Sequence, residues 1–137
     1  MADDKVEFEL VSPEKLLLSE AVDMVVVPGT EGNFGVLPGH APFISTVRMD
    51  VIETYEGREV RDRIFVAGGF AEVTPQRCTV LAEVAVPLAD IDRAEVETEI
   101  RGLEEELRDS SDPDEKILFQ NRLDVAHAKL DVLAQQA

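Results

Sequence analysis

The chain has no tryptophan, one tyrosine, one cysteine and two histidines, and its 13 Lys and Arg residues face 29 Asp and Glu. Each shortage excludes something. With aromatics at only 5% of 137 residues, a core must be built mostly from Val, Leu, Ile and Ala. A single thiol, Cys78, permits no intrachain disulfide, which fits a reducing compartment. Between Arg77 and Thr79-Val80-Leu81 it reads as a small half-buried strand residue, with no nucleophile constellation around it. Two histidines and one cysteine cannot supply a structural zinc site, and neither a nucleophile elbow nor an H-E-x-x-H pattern occurs. No metal or other cofactor is expected, and nothing in the sequence points to an active site. Positive charge is the scarcest resource: at a net charge of −16 the protein is repelled by nucleic acid and by anionic lipid surfaces. No apolar run approaches a membrane span, so direct lipid insertion is not expected. The acidic start Met-Ala-Asp-Asp-Lys lacks the basic character of a secretory signal, which leads to the expectation of a soluble, cytoplasmic protein.

What is present is concentrated between Pro28 and Pro42. This stretch holds four glycines (Gly29, Gly32, Gly35, Gly39), three prolines and His40, with Glu31 its one acidic residue. Glycine permits positive φ and close backbone approach, and proline fixes φ, so the stretch reads as a shaped loop with a short strand inside it. Ordered loops of this length are usually sites. The Gly29-x-x-Gly32-x-x-Gly35 spacing resembles a phosphate loop, but Val36-Leu37-Pro38-Gly39 follows where a helix N-terminus is required. His40 has no second histidine nearby to make a base and its orienting partner, and reads as a polar or interface residue beside a turn.

Before the loop, Val6–Val11 alternates polar and apolar, and further pieces occur around Leu16–Ser19 and over Val22–Val27. After it come Phe43–Val47, Val51–Tyr55 with a turn at Glu56-Gly57, Val60–Val66, Phe70–Thr74 after Ala67-Gly68-Gly69, and Thr79–Val84. About eight to ten short strands with turn signals at this spacing predict an antiparallel sandwich or barrel. Beyond Pro87 the pattern becomes helical. Ala89-Asp90-Ile91-Asp92 begins a helix, and Val96, Ile100, Leu103 and Leu107 form its apolar seam. Asp109-Ser-Ser-Asp-Pro113 breaks the pattern, and a second seam follows at Phe119, Leu123, Ala126, Leu130 and Leu133. Two short-linked helices with heptad-like seams predict an antiparallel hairpin that is marginal and mobile unless it docks. The acids Glu95, Glu97, Glu99 and Glu104-Glu105-Glu106 point around the helix and read as a solvated face.

Three stretches carry a family resemblance. They are Gly29-Thr-Glu-Gly-Asn-Phe-Gly-Val-Leu-Pro-Gly-His-Ala-Pro42, Val66-Ala-Gly-Gly-Phe-Ala-Glu-Val73, and Thr79-Val-Leu-Ala-Glu83 ahead of the helical hairpin. Together, in this order and over nearly the whole sequence, they resemble the epsilon subunit of the F-type ATP synthase, whose mitochondrial counterpart is called delta. The resemblance implies an all-β N-terminal sandwich of about ten antiparallel strands over residues 1–87 and an antiparallel two-helix hairpin over residues 88–137. It also implies a non-catalytic rotor subunit on the cytoplasmic face of the bacterial inner membrane, with the gamma subunit and the ring of c subunits as partners. The hairpin would fold against the sandwich or extend along gamma toward the alpha/beta catalytic hexamer, where it inhibits ATP hydrolysis.

Carried over by position, Ser12, Glu31, Asn33, His40 and Ser45 fall where the family touches its rotor neighbours. Asn33 stands where the family often has an acidic residue, and Glu31 lies two positions away. Many bacterial relatives carry an ATP-binding motif, Ile/Leu-Asp-x-x-Arg-Ala, at the first helix. Here Ile91-Asp92-Arg93-Ala94-Glu95-Val96 occupies it, with Glu95-Val96 in place of Arg-Ala; a shifted register recovers Asp90-x-x-Arg93-Ala94 but puts Ala89 at the apolar position. A glutamate in place of a guanidinium repels a triphosphate, so weak or no ATP binding is expected. In the family, basic residues on the extended hairpin face an acidic segment of the catalytic beta subunit; Lys116, Arg122 and Lys129 are the candidates for this contact here, but Asp114, Glu115, Asp124 and Asp131 flank them. Residues 90–137 hold fourteen Asp and Glu against six Lys and Arg, a net charge of −8, so inhibition is expected to be weak. The strand and heptad patterns alone also fit a free-standing β-sandwich binding module with a helical oligomerisation arm.

Overall fold

The computed structural model describes residues 4–136, which form eight strands and two α-helices. The strands are β1 (Val6–Val11), β2 (Leu16–Val22), β3 (Met24–Gly29), β4 (Gly32–Val36), β5 (Phe43–Thr46), β6 (Asp50–Glu56), β7 (Glu59–Val73) and β8 (Arg77–Pro87). They hydrogen-bond in the order β2-β1-β8-β7-β6-β3-β4, with β5 added against β7. This ladder folds over on itself into a sandwich: β1 approaches β3, and β2 approaches β6, without sharing hydrogen bonds. The alternation of β1 explains its placement, because Val6, Phe8 and Leu10 are buried while Glu7 faces solvent. With Val22, Val25, Val27, Val36, Ile52, Val66, Val73 and Val80 they make one aliphatic core. Cys78 lies wholly inside it rather than half-buried, and burial pushes its thiol up to about 12, so it is an inert core residue.

Two expectations are corrected. The strand count is eight, below the expected ten, because Val60–Val66 and Phe70–Thr74 belong to one continuous strand. β7 pairs with β6 through Glu59–Val66 and with β5 through Phe70–Val73, so it serves both layers and bends between them. The bend is Gly68-Gly69. Gly69 has φ +154°, and a Cβ there would lie 1.7 Å from the Leu81 carbonyl oxygen, so no side chain fits. Secondly, the sheet is not purely antiparallel: β1 and β8 run parallel, in register from Glu7↔Arg77 to Val11↔Leu81. These two strands come from opposite ends of the sandwich sequence, and the intervening strands supply the crossover that parallel pairing requires.

The protein divides into two compact units, one ending at Pro87 and the other beginning at Leu88. A single 3-10 turn (Leu88–Asp90) precedes α1 (Arg93–Asp109), and α2 spans Pro113–Gln136. Asp92 caps α1, its Oδ1 accepting from the amides of Ala94 (2.9 Å) and Glu95 (3.2 Å). Asp112 Oδ1 accepts from the Asp114 amide at 3.0 Å, and Pro113, expected as part of the break, instead opens α2. The seam buries Val96, Ile100 and Leu103 against Leu123 and Ala126, with Ile91, Leu107, Phe119 and Leu130 half-buried at its edges. Leu133, the last expected seam position, is half-buried and outside this cluster. In an antiparallel pair, α2 at 24 residues outruns α1 at 17, and Leu133 lies on the overhang.

Candidate functional site

The stretch Pro28–Pro42 is a β-hairpin followed by an irregular return. Pro28 and Gly29 end β3, Thr30 and Glu31 make the turn, and β4 runs back from Gly32 in the register Gly29↔Gly32 to Val25↔Val36. Gly29 is required by close packing: a Cβ there would lie 2.9 Å from the Gly32 carbonyl, 3.0 Å from the Phe34 ring and 3.1 Å from Ser45 Oγ.

One side chain ties this hairpin down. Arg48 donates from Nη1 to the Gly29 carbonyl at 2.7 Å and from Nη2 to Asn33 Oδ1 at 2.6 Å, while Nη2 also meets Asp50 Oδ2 at 3.1 Å. Its backbone amide donates to the Pro28 carbonyl at 2.9 Å. Thr30 adds a hydroxyl contact to Thr46 at 2.8 Å and an amide bond to the Thr46 carbonyl at 3.1 Å. The planar guanidinium fits this role because it reaches two acceptors on the hairpin and one carboxylate beside it at once. Farther along, the Gly39 amide donates to the Pro75 carbonyl at 2.8 Å, which fixes the return segment to the β7–β8 turn.

The sequence-predicted residues divide into those this scaffold brings together and those it does not. Glu31 is exposed at the hairpin tip, and Asn33 is exposed on β4 with its carbonyl held by Arg48. Ser45 is half-buried on β5, donates to the Thr46 carbonyl at 2.9 Å, and sits under Gly29. His40 belongs to the return segment: its Nδ1 donates to the Ala41 carbonyl at 2.6 Å, and its ring is 6.5 Å from that of Phe43. Ser12 lies apart, in the β1–β2 turn, where its hydroxyl and amide both bond the Lys15 carbonyl. Around the hairpin, Leu37 and Phe43 are large, exposed apolar side chains, and Phe43 meets Phe34 edge-on at 5.2 Å. The hairpin surface is therefore held by several bonds and combines exposed apolar side chains with the charges of Glu31, Arg48 and Asp50, which suits a protein partner.

In the helical unit, Asp92 is occupied as a cap and Ile91 packs into the seam, while Arg93 and Ala94 are exposed on the first turn. Lys116 and Arg122 are exposed and Lys129 is half-buried. At about 100° per residue, Lys116 falls on one side of the α2 seam and Arg122 and Lys129 on the other. The helix does not gather the three into one basic face. Among the described residues, no group of His, Cys, Asp and Glu is arranged to hold a metal ion, and no helix is long and apolar enough to cross a membrane.

Comparison with known proteins follows the same division. Residues 5–88 match the family described as ATP synthase, Delta/Epsilon chain, beta-sandwich domain, and residues 92–137 match the C-terminal domain of the ATP synthase epsilon chain. The protein belongs to the ATP synthase epsilon-chain family. It is 54% identical to the ATP synthase epsilon chain of Rhodospirillum centenum, over 97% of its own length and 94% of the relative. It is 56% identical to that of Rhodospirillum rubrum, over 80% of its own length and 82% of the relative. Among solved structures it shares its fold with a subunit of the Euglena gracilis mitochondrial ATP synthase, at a TM-score of 0.75 and 24% identity over 95% of its own length and 82% of that subunit.

Within this epsilon-family protein, sequence reading missed Arg48. A signal was present: Arg48 is the sole Lys or Arg between Lys15 and Arg58, and it closes the apolar run Phe43–Val47. A lone cation there has to serve nearby acceptors, and the glycine stretch supplies them. The apolar contributions of Leu37 and Phe43 were also missed, since apolar residues next to strands read as core.

Proposed function

We propose that this protein is a non-catalytic rotor subunit of a proton-translocating ATP synthase, joining the gamma subunit to the ring of c subunits and so coupling proton flow to ATP synthesis. Its place would be the cytoplasmic face of the bacterial inner membrane. The observation that carries the reading is the β3–β4 hairpin held in place by Arg48, with Glu31 exposed at its tip. A part that transmits torque has to hold its contact residues in one geometry under load, and preorganisation also lowers the entropic cost of binding. In this reading residues 1–87 are the gripping domain. Glu31 and Asn33 face the polar loops of the c ring, and Ser12, His40 and Ser45 complete the rotor contacts.

Residues 88–137 form the regulatory hairpin, and we assign it weak inhibition and weak or no ATP binding. Glu95 replaces the guanidinium that a triphosphate needs, and Asp92 is engaged with the helix N-terminus. The dispersed Lys116, Arg122 and Lys129, on a unit of net charge −8, make a poor match for an acidic segment of the alpha/beta hexamer. Affinity purification of the tagged protein from detergent-solubilised membranes should bring down gamma in equal amount; recovery of a lone soluble oligomer would overturn the rotor assignment. Titration of the isolated protein with ATP should show no saturable binding below the millimolar range, and a submillimolar dissociation constant would refute that part.

A further inference from the structure

Away from the glycine hairpin, two half-buried carboxyl groups, on β2 and β7, lie close to each other. Glu20 lies on β2 opposite Phe8 and in alternation with Val22, so its register points inward, where strand logic calls for an apolar residue. Its Oε2 meets Arg61 Nη2 at 3.0 Å, but its Oε1 is buried and has no donor among the described residues. Asp62 of β7 stands beside it. Asp62 is held from the core: Thr54 of β6, itself fully buried, donates to Asp62 Oδ2 at 2.6 Å and accepts from the Asp62 amide at 3.1 Å. Two carboxylates cannot bond each other; one of them has to carry a proton.

The charged groups around the pair are few. Arg61 of β7 is shared between Glu20 and Glu56 Oε1, the latter at 3.1 Å, and the Glu56 charge on β6 adds repulsion. From β1 the neighbour across the ladder is the apolar Phe8. Burial first, and then the hydrogen bond to Asp62 and its charge, push the Glu20 carboxyl up to about 7. Burial acts to raise Asp62 as well, but the bonds from Glu20 and Thr54 hold it below the ordinary aspartate value. The proton therefore belongs to Glu20.

We propose that Glu20 and Asp62 bind one proton between β2 and the β6–β7 hairpin, and that its loss loosens β2 from the sandwich. β2 is placed to respond, because it is the end strand of the ladder and hydrogen-bonds β1 alone. The raised pKa of Glu20 fixes the sign. The closed strand keeps a proton that the open strand releases, so closure is favoured at low pH and weakens as pH rises toward 7. Above about 7 both states are ionised and the dependence ends.

Amide hydrogen exchange on the full-length protein, divided by the intrinsic exchange rates, reads this directly. Protection of the β2 amides should fall about tenfold per pH unit between roughly pH 5 and 6.5 and level off above about pH 7. In Glu20→Gln the carboxamide donates permanently to Asp62, so the β2 amides should keep their protection across this range. Carboxyl-carbon NMR should place the Glu20 titration near neutrality, and Asp62→Asn, which removes the facing charge and gives Glu20 a permanent donor, should lower it, with the part due to burial remaining. Glu20 titrating as an ordinary glutamate, or Glu20→Gln losing β2 protection with pH as the wild type does, would overturn the proposal.

Discussion

The sandwich and the hairpin carry the same net charge, −8 each, but the hairpin does so with 50 residues against 87. Their cores differ in the opposite sense: sixteen buried side chains knit the sandwich, and five make the helical seam. One unit concentrates cohesion and the other concentrates repulsion. Burial of a Val or Leu side chain stabilises by about 1.5–3 kcal/mol, so the seam has little to set against crowded like charge and the entropy of ordering two helices. The sandwich also spends its polar groups on position. Arg48 clamps one hairpin and Thr54 holds Asp62, whereas the side-chain bonds of Asp92 and Asp112 serve the helix ends. Each unit thus has its own core, a large one in the sandwich and a small one in the helical pair.

That contrast can be broken at its strongest point first. Gly69→Ala forces a Cβ into the Leu81 carbonyl at a positive φ, which should cost on the order of 4 kcal/mol and lower the urea midpoint of the sandwich sharply. A variant with the wild-type midpoint would mean that the bend in β7 is not a fixed element. Leu103→Ala removes a central side chain of the five-residue seam and should cost about 2–4 kcal/mol, enough to abolish most helical signal in far-UV circular dichroism. The sandwich amides should keep their exchange protection in that variant; their collapse along with the helices would contradict separate cores. Arg48→Ala should be the mildest, costing about 1–3 kcal/mol locally and raising amide exchange across β3–β4 while the β7–β8 ladder stays protected. Unchanged β3–β4 protection would remove Arg48 from the account.

Much of this was legible in the sequence, and the reason is periodicity. The period-two run Val6, Phe8, Leu10 marks β1, and the spacing of Val96, Ile100 and Leu103 marks α1, because burying one face leaves a local imprint. Non-local arrangements leave none. Gly68-Gly69 reads as a break, although hydrogen bonds on both flanks continue β7 across the bend. The parallel pairing of β1 with β8 joins the two ends of the sandwich sequence, which no window of residues records. The polar side chains followed the same rule. Asp92 was recognisable as a cap because its partner amides lie two and three residues away, whereas Arg48 and Gly29 stand 19 apart. Glu20 hid for a different reason. Its inward register shows only once β2 is paired with β1.

In the proposed function the sandwich does the gripping and the hairpin regulates weakly. ATP hydrolysis by the assembled synthase carrying a subunit truncated after Ala89, compared with the same enzyme carrying the full-length subunit, tests it directly. The truncated subunit should still assemble with gamma and the c ring, and hydrolysis should rise only slightly; a large activation, or failure to assemble, would contradict this division of labour.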